Sequence, residues 1–96
     1  MNNFVDQTNE EVREHLINLD RKAFSDVCTQ ATIKNSIKII EALAEEFKMQ
    51  AGKFVEKRNK TAALKSRKVS GMLDAAFLSW RKKSIEASKN LKLLEN

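Results

Sequence analysis

From Ile33 onward the apolar positions fall into a strict register: Ile33, Ile37, Ile40, Ala44, Phe47, Ala51 and Phe54 alternate steps of four and three. At 3.6 residues per turn these steps lay the side chains along one line, which predicts a helix that seeks a helical partner. Small Ala44 and Ala51 between bulky neighbours would let that partner approach closely. Gly52 is the one poor helix former in the run and costs about 1 kcal/mol relative to alanine, which the helix is expected to tolerate.

The segments on either side repeat the helical period. Thr8 followed by Glu11 has the form of a capping box, so a helix should start near Asn9, with Val12, Leu16, Leu19 and Ala23 along one face. Two places could end it, Asn18 to Asp20 or Thr29 to Thr32, because short polar side chains at both compete for the backbone; the second is preferred. Between Lys57 and Lys60 a hairpin turn is expected, with Thr61 capping the next helix. That last helix, over about residues 61–94, would carry Val69, Leu73, Ala76, Phe77, Trp80, Ala87, Leu91 and Leu94 within an arc of about 100°. At 1.5 Å per residue it would be about 50 Å long, longer than a small globular core needs, so a rod-like shape is expected.

The expected fold is therefore all-α: an antiparallel hairpin of two long helices with an additional N-terminal helix, forming a dimeric helical bundle. Residues 1–96 read as one domain, with an acidic helical segment at 1–31, the heptad helix at 32–57 and a basic amphipathic helix at 61–94. Ile33, Ile37, Ile40, Phe47, Phe54, Leu73, Phe77 and Trp80 are the candidate dimer or hairpin seam. A chain of 96 residues buries only about 60–65% of its unfolded surface, and a homodimer would thicken that thin core.

Composition supports helices, since proline is absent and glycine occurs only at positions 52 and 71. No stretch approaches the ~20 apolar residues of a membrane span, no basic-then-apolar leader is seen, and the single cysteine, Cys28, reads as a small buried residue. A cytoplasmic protein without a membrane partner is expected. Charge changes the picture more. Residues 1–31 carry three cations against six carboxylates, residues 32–52 balance, and residues 53–96 carry twelve cations against four carboxylates. An acidic lead that could screen a basic second half suggests a polyanion-binding surface.

The candidate contacts are Lys57, Arg58, Lys60, Lys65, Arg67, Lys68, Arg81, Lys82, Lys83 and Lys89. No acidic residue interrupts the stretch between Lys57 and Leu73, and on the last helix most of these cations fall opposite the apolar arc. Such density suits phosphates, because each contact releases a condensed counterion and needs no particular base sequence. A charged helix face can also be merely solvated, but a face of that kind intersperses glutamate with lysine. Trp80 beside Arg81 could stack on a base, although its place in the apolar arc favours a core anchor. Leu64, Leu78 and Ile85 project from the basic side and could face the N-terminal helix, a second subunit or a membrane surface.

Catalysis has little footing. His15 reads as a surface residue, Glu10, Glu11, Glu45 and Glu46 as surface carboxylates, and neither a metal-ligand spacing nor a phosphate-cradling glycine loop occurs, so no enzyme, metal or cofactor is expected.

Two stretches have further meaning: Glu56-Lys57-Arg58-Asn59-Lys60-Thr61-Ala62-Ala63 with Arg67, and Trp80-Arg81-Lys82-Lys83-Ser84-Ile85-Glu86-Ala87. They resemble the bacterial linker-histone-like nucleoid proteins, the chlamydial histone-like family, in its E-K-G-N-K-A-A turn, following R-x-R and aromatic-R-K-x-S-I segment. The resemblance implies a helical hairpin that binds and condenses DNA without strong sequence preference, with Lys57, Lys60, Arg67, Arg81 and Lys82 at matching positions. Arg58 stands where the family has the turn glycine, so the left-handed residue is expected to shift to Asn59. The function expected is that of a nucleoid-associated, histone-like protein that compacts or bridges DNA, with RNA as a further polyanion. The alternative is a helical adaptor whose seam binds a partner protein.

Overall fold

A computed structural model describes residues 3–95, which form four α-helices and a terminal 3-10 turn, with no strand among them. Helix α1 spans Asn9–Ile17, α2 Arg21–Gln30, α3 Ile33–Lys57 and α4 Lys60–Lys89, followed by the 3-10 turn Leu91–Glu95. The fold is all-α, as the sequence implies.

Each start has a side-chain cap. The Glu11 amide donates to Thr8 Oγ1 at 3.1 Å and the Thr8 amide to Glu11 Oε1 at 3.0 Å, completing the capping box. Thr32 accepts from the Asn35 amide at 3.1 Å at the start of α3. Two expectations need correction. The N-terminal helix is broken in two, because Asn18 Nδ2 donates back to the Glu14 carbonyl at 2.9 Å and Asp20 then caps a new helix through the Ala23 amide at 2.7 Å. Both places weighed as its end are helix ends. The last helix stops at Lys89, four or five residues early: Asn90 turns extended, and its side chain accepts from the Lys92 amide at 3.3 Å to start the 3-10 turn.

The hairpin turn lies where expected, but its strained residue is Arg58, which sits in the left-handed region at φ 52° and ψ 37°. Asn59 instead stays extended and caps α4 by accepting from the Ala62 amide at 3.1 Å, so neither the left-handed role of Asn59 nor the capping role of Thr61 holds. One short side chain cannot take both roles, and capping α4 satisfies an otherwise orphan amide.

Helices α1 and α2 cover one side of the α3–α4 hairpin, α1 against α3 and α2 against α4. Val12 and Leu16 from α1, Phe24 and Cys28 from α2, Ile39, Ala42 and Leu43 from α3, and Val69 and Ala76 from α4 make one buried cluster, closed at the N-terminal end by Phe4. The molecule measures 47 × 23 × 23 Å with a radius of gyration of 14.2 Å, against about 12.5 Å for a compact domain of this length. Helix α4, at about 45 Å, sets the long axis.

As a seam within the hairpin, the candidate residues divide. Ile33 is buried, and Ile40, Leu73 and Trp80 are half-buried, but Ile37, Phe47, Phe54 and Phe77 remain 50%, 40%, 44% and 41% exposed. The buried line of α3 runs instead through Ile39, Ala42, Leu43, Glu46 and Gln50, about 100° around the helix from the heptad line. The hairpin is closed by this second line, and the heptad line looks outward on the side that α1 and α2 leave open. Glu46, expected at the surface, is buried. Its carboxylate lies 3.4 Å from the Arg13 guanidinium and accepts from Gln50 Nε2 at 2.8 Å, which is how a charge is tolerated there.

Candidate nucleic-acid interface

Lysine and arginine need only a solvated helix surface, and α4 offers 30 residues of it. At 100° per residue Lys60, Arg67, Arg81, Lys82 and Lys89 share an outward arc of about 100° on α4. All five are exposed, as are Lys57 at the end of α3 and Arg58 in the turn. Asp74 falls within the same arc. The left-handed backbone at Arg58 brings the end of α3 and the start of α4 together, so Lys57, Arg58 and Lys60 crowd the hairpin tip.

The remaining three candidates point elsewhere. Lys65 is exposed but lines a groove of about 510 Å³ that α1 forms with the hairpin, beside Glu10, Arg13 and Glu14. Lys68 Nζ donates to the Ile17 carbonyl at 2.9 Å, at the C-terminal end of α1. Lys83 Nζ donates to the Thr29 carbonyl at 2.7 Å, at the C-terminal end of α2. These carbonyls lack helical partners and carry the negative end of each helix dipole, so an ammonium there is favourable. No basic residue lies in the last turn of α2, and Lys83 supplies the missing cation from another helix. That absence was the available signal, but it does not say which lysine would answer it.

Among the described residues the two ion pairs both belong to Arg13, at 3.3 Å to Glu45 and 3.4 Å to Glu46. Among the described residues none of the ten candidate cations is in an ion pair, and only Lys68 and Lys83 of the ten make a side-chain hydrogen bond. Asp74 and Glu86 are the carboxylates of α4, so its cations outnumber them.

Where α2 meets α4, Ser79 Oγ donates to the Cys28 carbonyl at 2.9 Å. Burial pushes the Cys28 thiol up to about 11, against a smaller opposing pull from the Lys83 charge. Burial also lowers Lys83, whose neighbours Cys28 and Glu86 pull the other way. A protonated thiol of this kind is unreactive. Trp80 is half-buried on the hairpin, and Leu64, Leu78 and Ile85 are exposed on the outer side of α4. No group of three or more metal-binding side chains occurs among the described residues. Among the described residues no helix is long and apolar enough to cross a membrane.

A family model described as histone H1-like protein Hc1 matches residues 34–90, which is more than half of the chain. The chain belongs to the histone H1-like Hc1 family. The family is one of DNA-binding nucleoid proteins, structural and not known as enzymatic. The Hc1 match takes in most of α3 and all of α4, including the tip and the basic arc, and leaves α1 and α2 outside it. No curated protein and no solved structure matches the chain.

Proposed function

We propose that this protein is a cytoplasmic, nucleoid-associated member of the Hc1 family. It binds duplex DNA without sequence preference through phosphate contacts from Lys57, Arg58, Lys60, Arg67, Arg81, Lys82 and Lys89, with Lys65, Lys68 and Lys83 at the margin. Its role is mechanical, to compact or bridge DNA, and it needs no catalysis or cofactor. The observation that carries this reading is the unpaired state of the cations on α4 and at the tip, in a chain whose Hc1 match covers them. Cations without carboxylate partners lose little when a phosphate arrives, and the release of condensed counterions drives the contact.

A homodimer through the open face of Ile37, Phe47, Phe54 and Phe77 would place two basic helices on one particle and allow bridging. The same exposed face supports the second reading, a helical adaptor that presents it to another protein's helix.

Titration into short duplexes of unrelated sequence, at about 50 and about 200 mM salt, tests the first reading. Contacts to six or more phosphates should cost at least ~1000-fold in affinity over that range, equally for every sequence. Replacing Lys60, Arg67, Arg81 and Lys82 together by glutamate should abolish binding. No binding even at about 50 mM salt would remove DNA from the reading and favour the adaptor, and binding that ignores salt or survives that reversal would overturn the phosphate contacts assigned to these four cations. A single-stranded RNA competitor in the same titration separates DNA from a general polyanion preference.

A further inference from the structure

Helix α2 is short and attached lightly. Its 10 residues fall below the ~12–15 at which an isolated helix becomes even marginally stable, so it is helical because it is docked. A break lies on each side, at Asn18–Asp20 and at Ala31–Thr32. Phe24 and Cys28 anchor it in the core, and beyond them its polar ties to α4 are Ser79 to the Cys28 carbonyl and Lys83 to the Thr29 carbonyl. An open groove of about 630 Å³ runs between the two helices, lined among others by Ser25, Cys28, Ser79, Lys82 and Glu86, so one edge of their interface is open to solvent. Helix α2, which carries Arg21 and Lys22 against Asp26, lies against the most basic helix of the molecule and brings it no net negative charge.

We propose that α2 is a displaceable cover on the basic helix. A polyanion that takes up Lys83 loosens α2 from α4, and the docked cover in turn lowers polyanion affinity. This mechanism rests on the proposed DNA binding, and its source is what Lys83 holds. A helix end offers an ammonium only about half an elementary charge, spread over several carbonyls, whereas a phosphate offers a full one. Lys83 is turned about 100° around α4 from Lys82 at the edge of the outward arc, so it reaches a phosphate of a duplex seated there only by releasing the Thr29 carbonyl. Once the Thr29 carbonyl loses its cation, Phe24, Cys28 and the single hydrogen bond from Ser79 must hold a marginal helix. Linkage makes the effect reciprocal: whatever the polyanion does to the cover, the cover does to polyanion affinity.

Cys28 reports the state of the cover, because it is buried only while α2 is docked. The experiment monitors labelling of Cys28 in the full chain by an uncharged maleimide, with and without a short duplex at low salt, while fluorescence anisotropy reads DNA occupancy. Exposure and the return of the thiol toward its ordinary acidity should together accelerate labelling at least ~10-fold at saturation. Salt that dissociates the DNA should cancel the acceleration. Lys83→Gln should accelerate labelling without DNA and shrink the further effect of DNA, whereas Lys48→Gln, on the outer surface of α3, should do neither. Ser79→Ala loosens the same contact from its other tie and should act in the same direction as Lys83→Gln if that variant proves unfolded by circular dichroism. DNA bound by anisotropy with labelling unchanged or slowed would overturn the cover and leave DNA binding standing. Absence of any DNA binding would overturn both.

Discussion

The two sides of the α3–α4 hairpin differ in a direction opposite to their composition. On the covered side α3 buries Asn35, Ser36, Glu46 and Gln50 along with Ile39, Ala42 and Leu43; on the open side it leaves Ile37, Phe47 and Phe54 to water. Polar groups are buried where α1, α3 itself and the segment before α1 bring partners for them. Arg13 reaches Glu46, Gln50 donates to the same carboxylate, and the Phe4 amide donates to Asn35 Oδ1 at 3.1 Å. Burial in a small helical protein is decided by which element is at hand to cover a face, and an apolar line without a cover in its own chain stays exposed. An exposed line of this size is the usual mark of an interaction surface.

The covered side should be the sensitive one. Leu43→Ala removes a fully buried side chain from the central cluster and should lower unfolding free energy by about 2–5 kcal/mol. Phe47→Ala, one turn further on the open side, should cost below about 1 kcal/mol in dilute solution, since a half-exposed ring loses less burial. Equal losses in urea denaturation would mean that the open side is covered in the isolated protein. Next in size comes Arg13→Ala, which leaves Glu46 buried without its cation and should cost about 2–3 kcal/mol. A cost below ~0.5 kcal/mol would show that Gln50 and solvent satisfy the carboxylate, and that the polar patch under α1 is not a fixed part of the core.

Acidity sharpens the comparison again. The folded Cys28 thiol is raised to about 11, so the unfolded thiol loses its proton first. The stabilising effect is complete below the unfolded value and is lost as pH rises from about 9 through 11. After allowance for partial solvent screening, stability should fall by about 1–2 kcal/mol over that window. Cys28→Ala should lack this part of the descent, and identical pH profiles for the two proteins would mean that the thiol is solvated and α2 already undocked.

The smallest effect belongs to the turn. Arg58 holds a left-handed backbone that costs an L side chain about 1–2 kcal/mol and glycine almost nothing, so Arg58→Gly should raise stability by up to ~1 kcal/mol after the added chain entropy of glycine. It should also weaken DNA binding by one phosphate contact. Destabilisation on thermal melting would show that Arg58 makes up the strain with contacts of its own.

What could be read in the sequence was what depends on neighbours in the chain. The capping box at Thr8 and Glu11, the start of α3 after Thr32 and the turn at 58–59 are set by side chains within three or four residues of the backbone groups they satisfy. The outward arc of α4 was legible for the same reason, since angular position on a helix is fixed by residue number alone. Lys68 and Lys83 were assigned to that surface because their charge is visible in sequence, while the carbonyls that hold them lie 51 and 54 residues away. The break at Asn18–Asp20 lay between, because propensity there allowed either one long helix or two, and packing two short helices across the hairpin covers more of its core than one straight rod.

The sequence by itself determined the all-helical class, the capping box at Thr8, the place of the hairpin and the separation of an acidic lead from a basic half, because periodicity and charge are local and additive. Only the tertiary structure decided which of two lines on α3 would be the core. The heptad line is the more apolar, but α1 brings Val12, Leu16 and Arg13 to the other one, and a buried face is defined by the element that meets it.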